Sequence, residues 1–351
     1  MKKNIPIYQR IIFYISIILA ISMNVITCSN KSSRHTIEFN KKKFKKKELS
    51  KKVRKFESFS FNSKTPLLDR IKTPPPFILS FIRKMDGRNY TSYKPSKKEI
   101  QIINKSFSLL PPLMLKYIKE RVIEIYFIND LWGSGMTDWL VDKNGKIFCV
   151  MYFNPMTLKK NMSEWLTYKE RTCFKKDHKD TLISIRGGVK YSGFLGILLH
   201  EGTHVIDYCK NITDYVEANT LRVRKYFNKK ILITPFTKKI WQSIYKPSSK
   251  YDFPIRKKIT FYGFSKGPKL KLSEAPTAYE QLSKTPFVSL YGGLSWAEEL
   301  AELALFYHIT KVLKQPYVIE LKKNKQIVFS YEPGKSPAVK KRFLYIKQFY
   351  Q

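Results

Sequence analysis

His200-Glu201-Gly202-Thr203-His204, within residues 192–209, is the stretch that decides the fold. On a helix, residues four apart lie on one face, so the two imidazoles can close on one metal ion. The glutamate beside them is placed to take a proton from a water on that metal, so the pattern indicates a zinc site with a built-in base. The chain has only five histidines, which makes this spacing rare by chance, on the order of one per cent. The alternative is a pair of structural histidines on a half-buried helix.

The flanks of this stretch predict a helix over 192–209. Ser192 is a good N-cap, and residues 194–199 are mostly apolar. No glycine or third histidine follows closely after His204, so a third metal ligand has to come from elsewhere. Asp207 lies one turn past His204 on the same face. It either accepts a hydrogen bond that orients one imidazole or is a solvated surface carboxylate.

The best candidate for the third ligand lies about ninety residues further on. Ser295 predicts the N-cap of a helix over 295–313 that carries Glu298, Glu299 and Glu302. Glu298 and Glu302 are four apart and share a face, and a buried pair of carboxylates is costly unless something positive holds it. A zinc ion with two imidazoles would do so. The alternative is an exposed acidic first turn, in which Glu298 only completes a capping box.

The pattern Ser-x-Tyr291-Gly followed by Glu298-x-x-Ala-Glu302 resembles the gluzincin metallopeptidases of the anthrax lethal factor type. The spacing of seven residues between Tyr291 and Glu298 agrees with that group, as does an aspartate three residues after the second histidine. The resemblance covers two short segments, 200–208 and 289–303. It does not extend visibly to the rest of the chain and does not transfer a substrate.

The resemblance implies a role for each matching residue. Glu298 would be the third zinc ligand, and Tyr291 would steady an oxyanion or donate a proton. Glu302 and Asp207 would support the ligands from behind. With Glu201 as general base, the expected reaction is hydrolysis of an internal peptide bond by one zinc ion per chain. An isopeptide or another amide would suit the same four roles.

The expected fold is α+β and zincin-like, helix-rich with a small mixed sheet, over residues 65–351. Hydrophobic residues make up 43% of the chain, which is enough for a substantial core. Residues 139–141 and 147–153 flank an Asp-Lys-Asn-Gly turn and predict a hairpin, our candidate for the edge strand that aligns a substrate in zincins. Residues 210–285 are polar, basic and punctuated by proline, which predicts an irregular insert. We also expect a second hairpin over 317–331 and a closing helix over 338–349.

The N-terminal residues predict export. A basic start precedes an apolar run over 11–26, which is short for a membrane span and typical of a signal peptide over 1–28. Val25-Ile-Thr-Cys28 resembles a bacterial lipoprotein cleavage site, although Thr27 departs from the usual small residue. We therefore expect an exported bacterial protein anchored by lipid on Cys28, facing the periplasm or the cell exterior. A secreted protein without an anchor and an uncleaved signal anchor are the alternatives.

Residues 29–64 carry blocks of lysine that repel one another, which predicts a basic disordered tether that could lie on anionic headgroups. The chain as a whole has 66 Lys and Arg against 27 Asp and Glu, a net charge of +39. This charge either reflects genome-wide composition or favours acidic peptide or protein substrates. Nucleic acid is not an expected partner, because no nucleic-acid-binding motif accompanies the charge.

Cys149, Cys173 and Cys209 remain after Cys28 is assigned to lipid. In an oxidising compartment we expect one disulfide and one free thiol among them. His308 is the alternative metal ligand should Glu298 not serve.

Two classes of function stay open. The first is a surface-anchored zinc endopeptidase. The second is a non-catalytic, basic surface lipoprotein on a zincin scaffold, acting as an adhesin or polyanion binder. Loss of the general base is how such sites usually become inactive, and Glu201 is present, which favours the enzyme.

Overall fold

The computed structural model of the chain describes residues 53, 55–177, 179–214 and 232–351. The predictions made for the signal peptide, for Cys28 and for most of the tether lie outside these residues. Within the described ranges, no helix combines the length and the apolar character that crossing a membrane requires.

The described residues form a mixed α and β structure, as expected for the α+β class. The α-helices are α1 Pro76–Asp86, α2 Lys97–Ser108, α3 Pro112–Arg121, α4 Met162–Arg171, α5 Gly193–Lys210, α6 Ala275–Ser283, α7 Trp296–Tyr307, α8 Pro337–Arg342 and α9 Leu344–Lys347. The strands are β1 Ile71–Lys72, β2 Thr91–Tyr93, β3 Val122–Asn129, β4 Gly135–Val141, β5 Ile147–Phe153, β6 Phe174–Lys175, β7 Thr181–Arg186, β8 Trp241–Ser243, β9 Lys246–Pro247, β10 Leu270–Lys271, β11 Val318–Lys323 and β12 Gln326–Tyr331.

The main sheet has five strands and places β4 at its edge. β3 lies at the centre, parallel to β1 and β5 and antiparallel to β2, and β4 pairs antiparallel with β5. The predicted hairpin is confirmed, although β4 begins at Gly135 rather than 139. Apart from its pairing with β5, β4 makes one isolated bridge among the described residues, from Val141 to Lys55.

Alternating side chains of β3 and β5 divide the interior into two hydrophobic clusters, because successive strand residues point to opposite faces. Phe127 and Phe153 face the cluster that contains α5, whereas Tyr126 and Tyr152 face the cluster that contains α1. The sheet therefore supports α5 on one face and is covered by α1 on the other.

The N-terminal boundary of the domain lies earlier than predicted. Val53 is buried, and the rings of Phe56 and Phe61 pack against Phe148 of β5, with ring centroids 4.6 and 5.4 Å away. Residues 55–64 are therefore part of the folded domain and not of a tether. The aromatic side chains of this segment, Phe56, Phe59 and Phe61, pack on the hydrophobic cluster that lies on the α1 side of the sheet.

The insert between α5 and α7 is irregular, as expected, and consists of short strands, 3₁₀ turns and α6 in its described part. It is not a polar surface addition, however. Phe236, Trp241, Phe253 and Phe261 belong to the main hydrophobic cluster. The second hairpin, β11–β12, is confirmed and pairs with β7. The predicted closing helix is interrupted at Phe343, where α8 ends and α9 begins.

Candidate metal centre

Helix α5 presents His200 and His204 from the inside of the protein. Its N-cap Ser192 accepts a hydrogen bond from the Leu195 backbone, and it ends at Asn211 in the left-handed conformation. All residues from Gly193 to Tyr208 are buried, so the helix is surrounded on every side, as its nearly continuous apolar sequence requires. The two imidazole rings lie 5.0 Å apart.

Helix α7 brings Glu298 to the same point. The Ser295 hydroxyl accepts a hydrogen bond from the Glu298 backbone nitrogen at 3.2 Å, while the Glu298 side chain turns inward. Its Oε2 lies 3.1 Å from His200 Nε2 and 3.7 Å from His204 Nε2. This buried oxygen accepts no well-aligned hydrogen bond from any described residue. The two imidazole nitrogens and the carboxylate oxygen therefore converge on one point, and the two imidazoles do not use up the hydrogen-bonding capacity of the oxygen.

The spacing of these atoms suits a metal ion. In a tetrahedral zinc site with bonds of about 2.0–2.2 Å, neighbouring ligand atoms lie about 3.4 Å apart. The observed separations of 3.1 and 3.7 Å bracket that value. Among the described residues, His200, His204 and Glu298 are the group of three whose ligand atoms lie within 4.8 Å of one another. The structure thus contains a possible metal-binding triad.

Charges in this triad are coupled. Burial disfavours ionisation of Glu298, but contact with His200 and His204 holds its pKa well below the usual value. Burial likewise opposes protonation of His200, but Glu298 and Glu302 raise its pKa to about 9. The carboxylates therefore attract positive charge to the centre, which a proton or a metal cation can supply.

Glu302 lies behind the first histidine. Its Oε1 is 2.9 Å from His200 Nδ1, and its Oε2 accepts a hydrogen bond from the Ser289 hydroxyl at 2.7 Å. Ser289 Oγ also accepts a hydrogen bond from the Gly292 backbone nitrogen at 3.0 Å. Ser289 thus connects the segment around Tyr291 to the helix that carries Glu298 and Glu302. Because Nδ1 of His200 faces the Glu302 carboxylate, Nε2 of His200 is left to face the position where a metal would bind.

Glu201 is held against the edge strand. Its Oε2 accepts a hydrogen bond from Thr137 Oγ1 of β4 at 2.8 Å. Gly135 lies so close to α5 that a Cβ there would stand 2.8 Å from Ile197 Cγ1 and 3.0 Å from Glu201 Cγ. Burial raises the pKa of Glu201, although the two histidines and Thr137 oppose that rise. The candidate base is thus fixed beside the ligands.

Tyr291 lines a cleft that also contains His200 and Glu201. Its ring centroid lies 5.7 Å from that of His200. Burial, and after it the charge of Glu298, raise the pKa of Tyr291 well above the usual value. The phenol therefore keeps its proton at neutral pH and can donate a hydrogen bond in the cleft.

The rest of the cleft wall is largely apolar and comes from three parts of the chain: the end of α1, the segment leading into β4, and the insert. These residues are Ile82, Met85, Leu131, Trp132, Met136, Tyr262 and Phe264. Trp132 Nε1 donates a hydrogen bond to the Tyr262 carbonyl at 2.6 Å, and its ring packs on Phe264 with centroids 4.4 Å apart. The insert therefore forms one side of the cleft.

Asp207 is completely buried, so it is not a solvated surface carboxylate. Its Oδ1 accepts a hydrogen bond from the Thr213 backbone nitrogen at 2.8 Å, and its other oxygen binds the Thr213 hydroxyl. Burial raises the pKa of Asp207 to about 6, and the charge of His204 opposes this rise. The carboxylate fastens the loop that leaves α5 and lies within electrostatic reach of the second histidine.

His308 does not take the position of an alternative metal ligand, and the cysteines do not form the expected disulfide. His308 Nδ1 is 2.8 Å from the Tyr350 hydroxyl, and the residue is not part of the ligand triad. No disulfide joins Cys149, Cys173 and Cys209, so the expectation of one pair is wrong. Cys149 lies in β5, Cys173 follows α4 and Cys209 lies near the end of α5.

Comparison with protein-family models, with curated proteins and with solved structures finds no match to this chain.

Three residues of the centre were not found from the sequence: Thr137, Ser289 and Lys169, whose ammonium contacts Glu302. Alternation along β4 could have marked Thr137 as a residue facing α5. Ser289 is part of the Ser-x-Tyr-Gly pattern, but the resemblance implied a role only for Tyr291. Lys169 had no signal, since lysine is abundant throughout the sequence.

Proposed function

We propose that this chain is a zinc-dependent metalloendopeptidase with a zincin-like catalytic domain. The observation that carries the proposal is the convergence of His200 Nε2, His204 Nε2 and Glu298 Oε2 at zinc-ligand spacing. Two imidazoles and one carboxylate are a donor set typical of catalytic zinc, which leaves the fourth position open. Glu201 is buried, lines the same cleft as His200 and interacts electrostatically with both histidines, and such a carboxyl is what distinguishes a hydrolytic site from a structural one.

A zinc ion held there would polarise a substrate carbonyl and lower the pKa of water toward neutrality. The protein groups supply the remaining chemistry. Glu201 accepts the proton of the attacking water and passes it to the leaving amine, while Thr137 keeps its carboxylate in place. Tyr291 donates a hydrogen bond to the developing oxyanion, where a donor has its largest effect.

Strand β4 supports the choice of a peptide substrate. It is an edge strand, and Gly135 and Thr137 lie directly against α5 at Glu201. An extended peptide can pair with such an edge through its main chain, which would carry the scissile bond past the general base. The net charge of +39 favours substrates with acidic residues around that bond.

The first test is the zinc content of the purified chain, compared with Glu298→Ala and with Glu280→Ala as a matched control on an exposed glutamate. We expect one zinc per chain in the wild type and the control, and strongly weakened binding in Glu298→Ala. Glu201→Gln should keep zinc and lose cleavage of a peptide library. A wild-type chain that binds no zinc would overturn the proposal and favour the non-catalytic surface protein.

We further propose that the protein is exported and anchored by lipid on Cys28, with the basic residues that follow lying on the membrane surface. This rests on the sequence of residues 1–28 alone. Metabolic labelling with a fatty acid analogue in a bacterial host tests it. Label in the wild type and none in Cys28→Ala is the expected result, and an unlabelled wild type would contradict it.

A further inference from the structure

Lys169 is a buried cation on the wall of the candidate metal centre. It lies in the last turn of α4, a helix that begins at Asn161 with a capping box. Only 4% of the residue is exposed. Its Nζ contacts Glu302 Oε1 and stands 4.4 Å from the centre of the Tyr291 ring. An ammonium group is rarely buried unless it is paired, so this position calls for a physical explanation.

A single oxygen connects Lys169 to the metal ligands. Glu302 Oε1 contacts Lys169 Nζ and is also 2.9 Å from His200 Nδ1. The other oxygen of Glu302 is already bound by Ser289. Glu302 is therefore surrounded by donors, and it accepts from all of them only as an ionised carboxylate.

Lys169 offsets part of the negative charge of the centre. Three carboxylates come together here: Glu201 and Glu302 are buried, and the Glu298 side chain is 15% exposed. A divalent cation held by the triad would compensate two of these charges, and Lys169 is a further cation that contacts Glu302. Neighbouring Glu170 accepts a hydrogen bond from the Tyr279 hydroxyl and also lies within electrostatic reach of Lys169 and Glu302. Without Lys169 one carboxylate would stay uncompensated in the interior, which is costly.

We propose that Lys169 is a positioning residue of the metal centre: it holds Glu302 as the anionic acceptor of His200 Nδ1–H and so keeps Nε2 directed at the metal. The ammonium also lies over the Tyr291 ring, and the cation–π contact holds the phenol beside the same ligand. One side chain thus supports both a metal ligand and the candidate oxyanion donor, although it touches neither metal nor substrate. The inference rests on the proposed function, because it assumes that the triad binds a metal.

The test measures metal affinity rather than turnover. Zinc dissociation constants are determined by competition with a chromogenic chelator for the wild type, for Lys169→Met and for Lys105→Met, an exposed lysine on α2 as matched control. We expect Lys169→Met to bind zinc about tenfold to a hundredfold more weakly, as is typical when a supporting group is lost. Its Co²⁺ absorption spectrum should shift, and Lys105→Met should match the wild type in both measurements.

A double variant shows whether Lys169 acts through Glu302. Glu302→Gln alone should weaken zinc binding to a similar degree. Lys169→Met combined with Glu302→Gln should weaken it no further, because both changes remove the same support. The double variant also removes both buried charges, so it provides the measurement if Lys169→Met alone does not fold.

The outcomes separate the two proposals. A wild-type chain without zinc means that the metal centre itself is wrong. A wild type that binds zinc with Lys169→Met equal to it, or effects of Lys169 and Glu302 that simply add, overturns only the role of Lys169. Loss of resistance to urea in the metal-free variant with unchanged zinc affinity would mark Lys169 as structural and would overturn the proposal in the same way.

Discussion

The ion pair between Glu299 and Arg342 is expected to hold α7 in the position that places Glu298 in the candidate metal centre. Glu299 is 1% exposed, and its Oε1 accepts a hydrogen bond from Arg342 Nε at 2.7 Å. Its Oε2 is bound by Trp241 Nε1 of the insert. The guanidinium also stacks on Phe236, 3.9 Å from the ring centre. The position of Glu298, the residue directly before Glu299 on α7, depends on this anchoring.

Arg342→Met removes the charge and keeps much of the stacking surface. Burial raises the pKa of Glu299 and Arg342 opposes that rise, so the variant leaves a buried carboxylate with one neutral donor. Breaking a buried pair on one side costs about 3–5 kcal/mol. Because whole domains are stable by about 5–15 kcal/mol, the urea midpoint of the variant should fall by a large fraction.

The assay is urea unfolding monitored by tryptophan fluorescence. The wild type, Arg342→Met, Glu299→Gln and the double variant are compared in a double-mutant cycle. We expect the double variant to be more stable than Arg342→Met alone, because it no longer buries an uncompensated charge. A loss below about 1 kcal/mol in Arg342→Met, the size typical of an exposed pair, would refute the reasoning.

Three further predictions concern the base and a buried acid. Thr137→Val removes the hydrogen bond to Glu201 and should lower kcat about tenfold to a hundredfold with zinc content unchanged; equal kcat would mean that the bond does not position the base. Gly135→Ala introduces a Cβ against α5 and should destabilise the protein by about 1–3 kcal/mol and reduce cleavage, whereas unchanged unfolding would show that β4 can move away. Burial raises the pKa of Glu170 to about 7 from a usual 4.5. The folded state therefore binds more protons between these values, and stability should fall by up to about 3 kcal/mol as the pH rises through them. Glu170→Gln should reduce this slope and leave the part that comes from Asp207, whose pKa burial raises to about 6. An unchanged slope in urea midpoints from pH 4 to 8 would contradict the assignment.

Local signals predicted the elements that carry the site. Ser192 and Ser295 are the N-caps of α5 and α7, and both hydroxyls accept the expected backbone hydrogen bonds. The turn around Asn144 marked the β4–β5 hairpin correctly. Caps, turns and apolar periodicity act over a few residues, which is why they can be recognised without the tertiary structure.

Predictions that relied on composition were less accurate. Residues 55–64 are lysine-containing and were assigned to the tether, yet Phe56 and Phe61 pack on the sheet. The insert is basic and proline-rich, yet Trp241 and Phe261 are buried in the core. In a chain with so many lysines, charge does not distinguish a solvated segment from a folded one, whereas the aromatic residues within it do.

The sequence by itself determined which side chains of the candidate metal centre share a helix face. Four-residue spacing puts His200 and His204 on one face of a helix, and the same spacing puts Glu298 and Glu302 on one face of another. Only the tertiary structure decided how the two faces meet, with Glu298 at the ring nitrogens and Glu302 behind His200. It also selected Lys169 from 66 basic residues, because which lysine is buried beside a carboxylate depends on the packing of α4 against α5, contacts that no local pattern encodes.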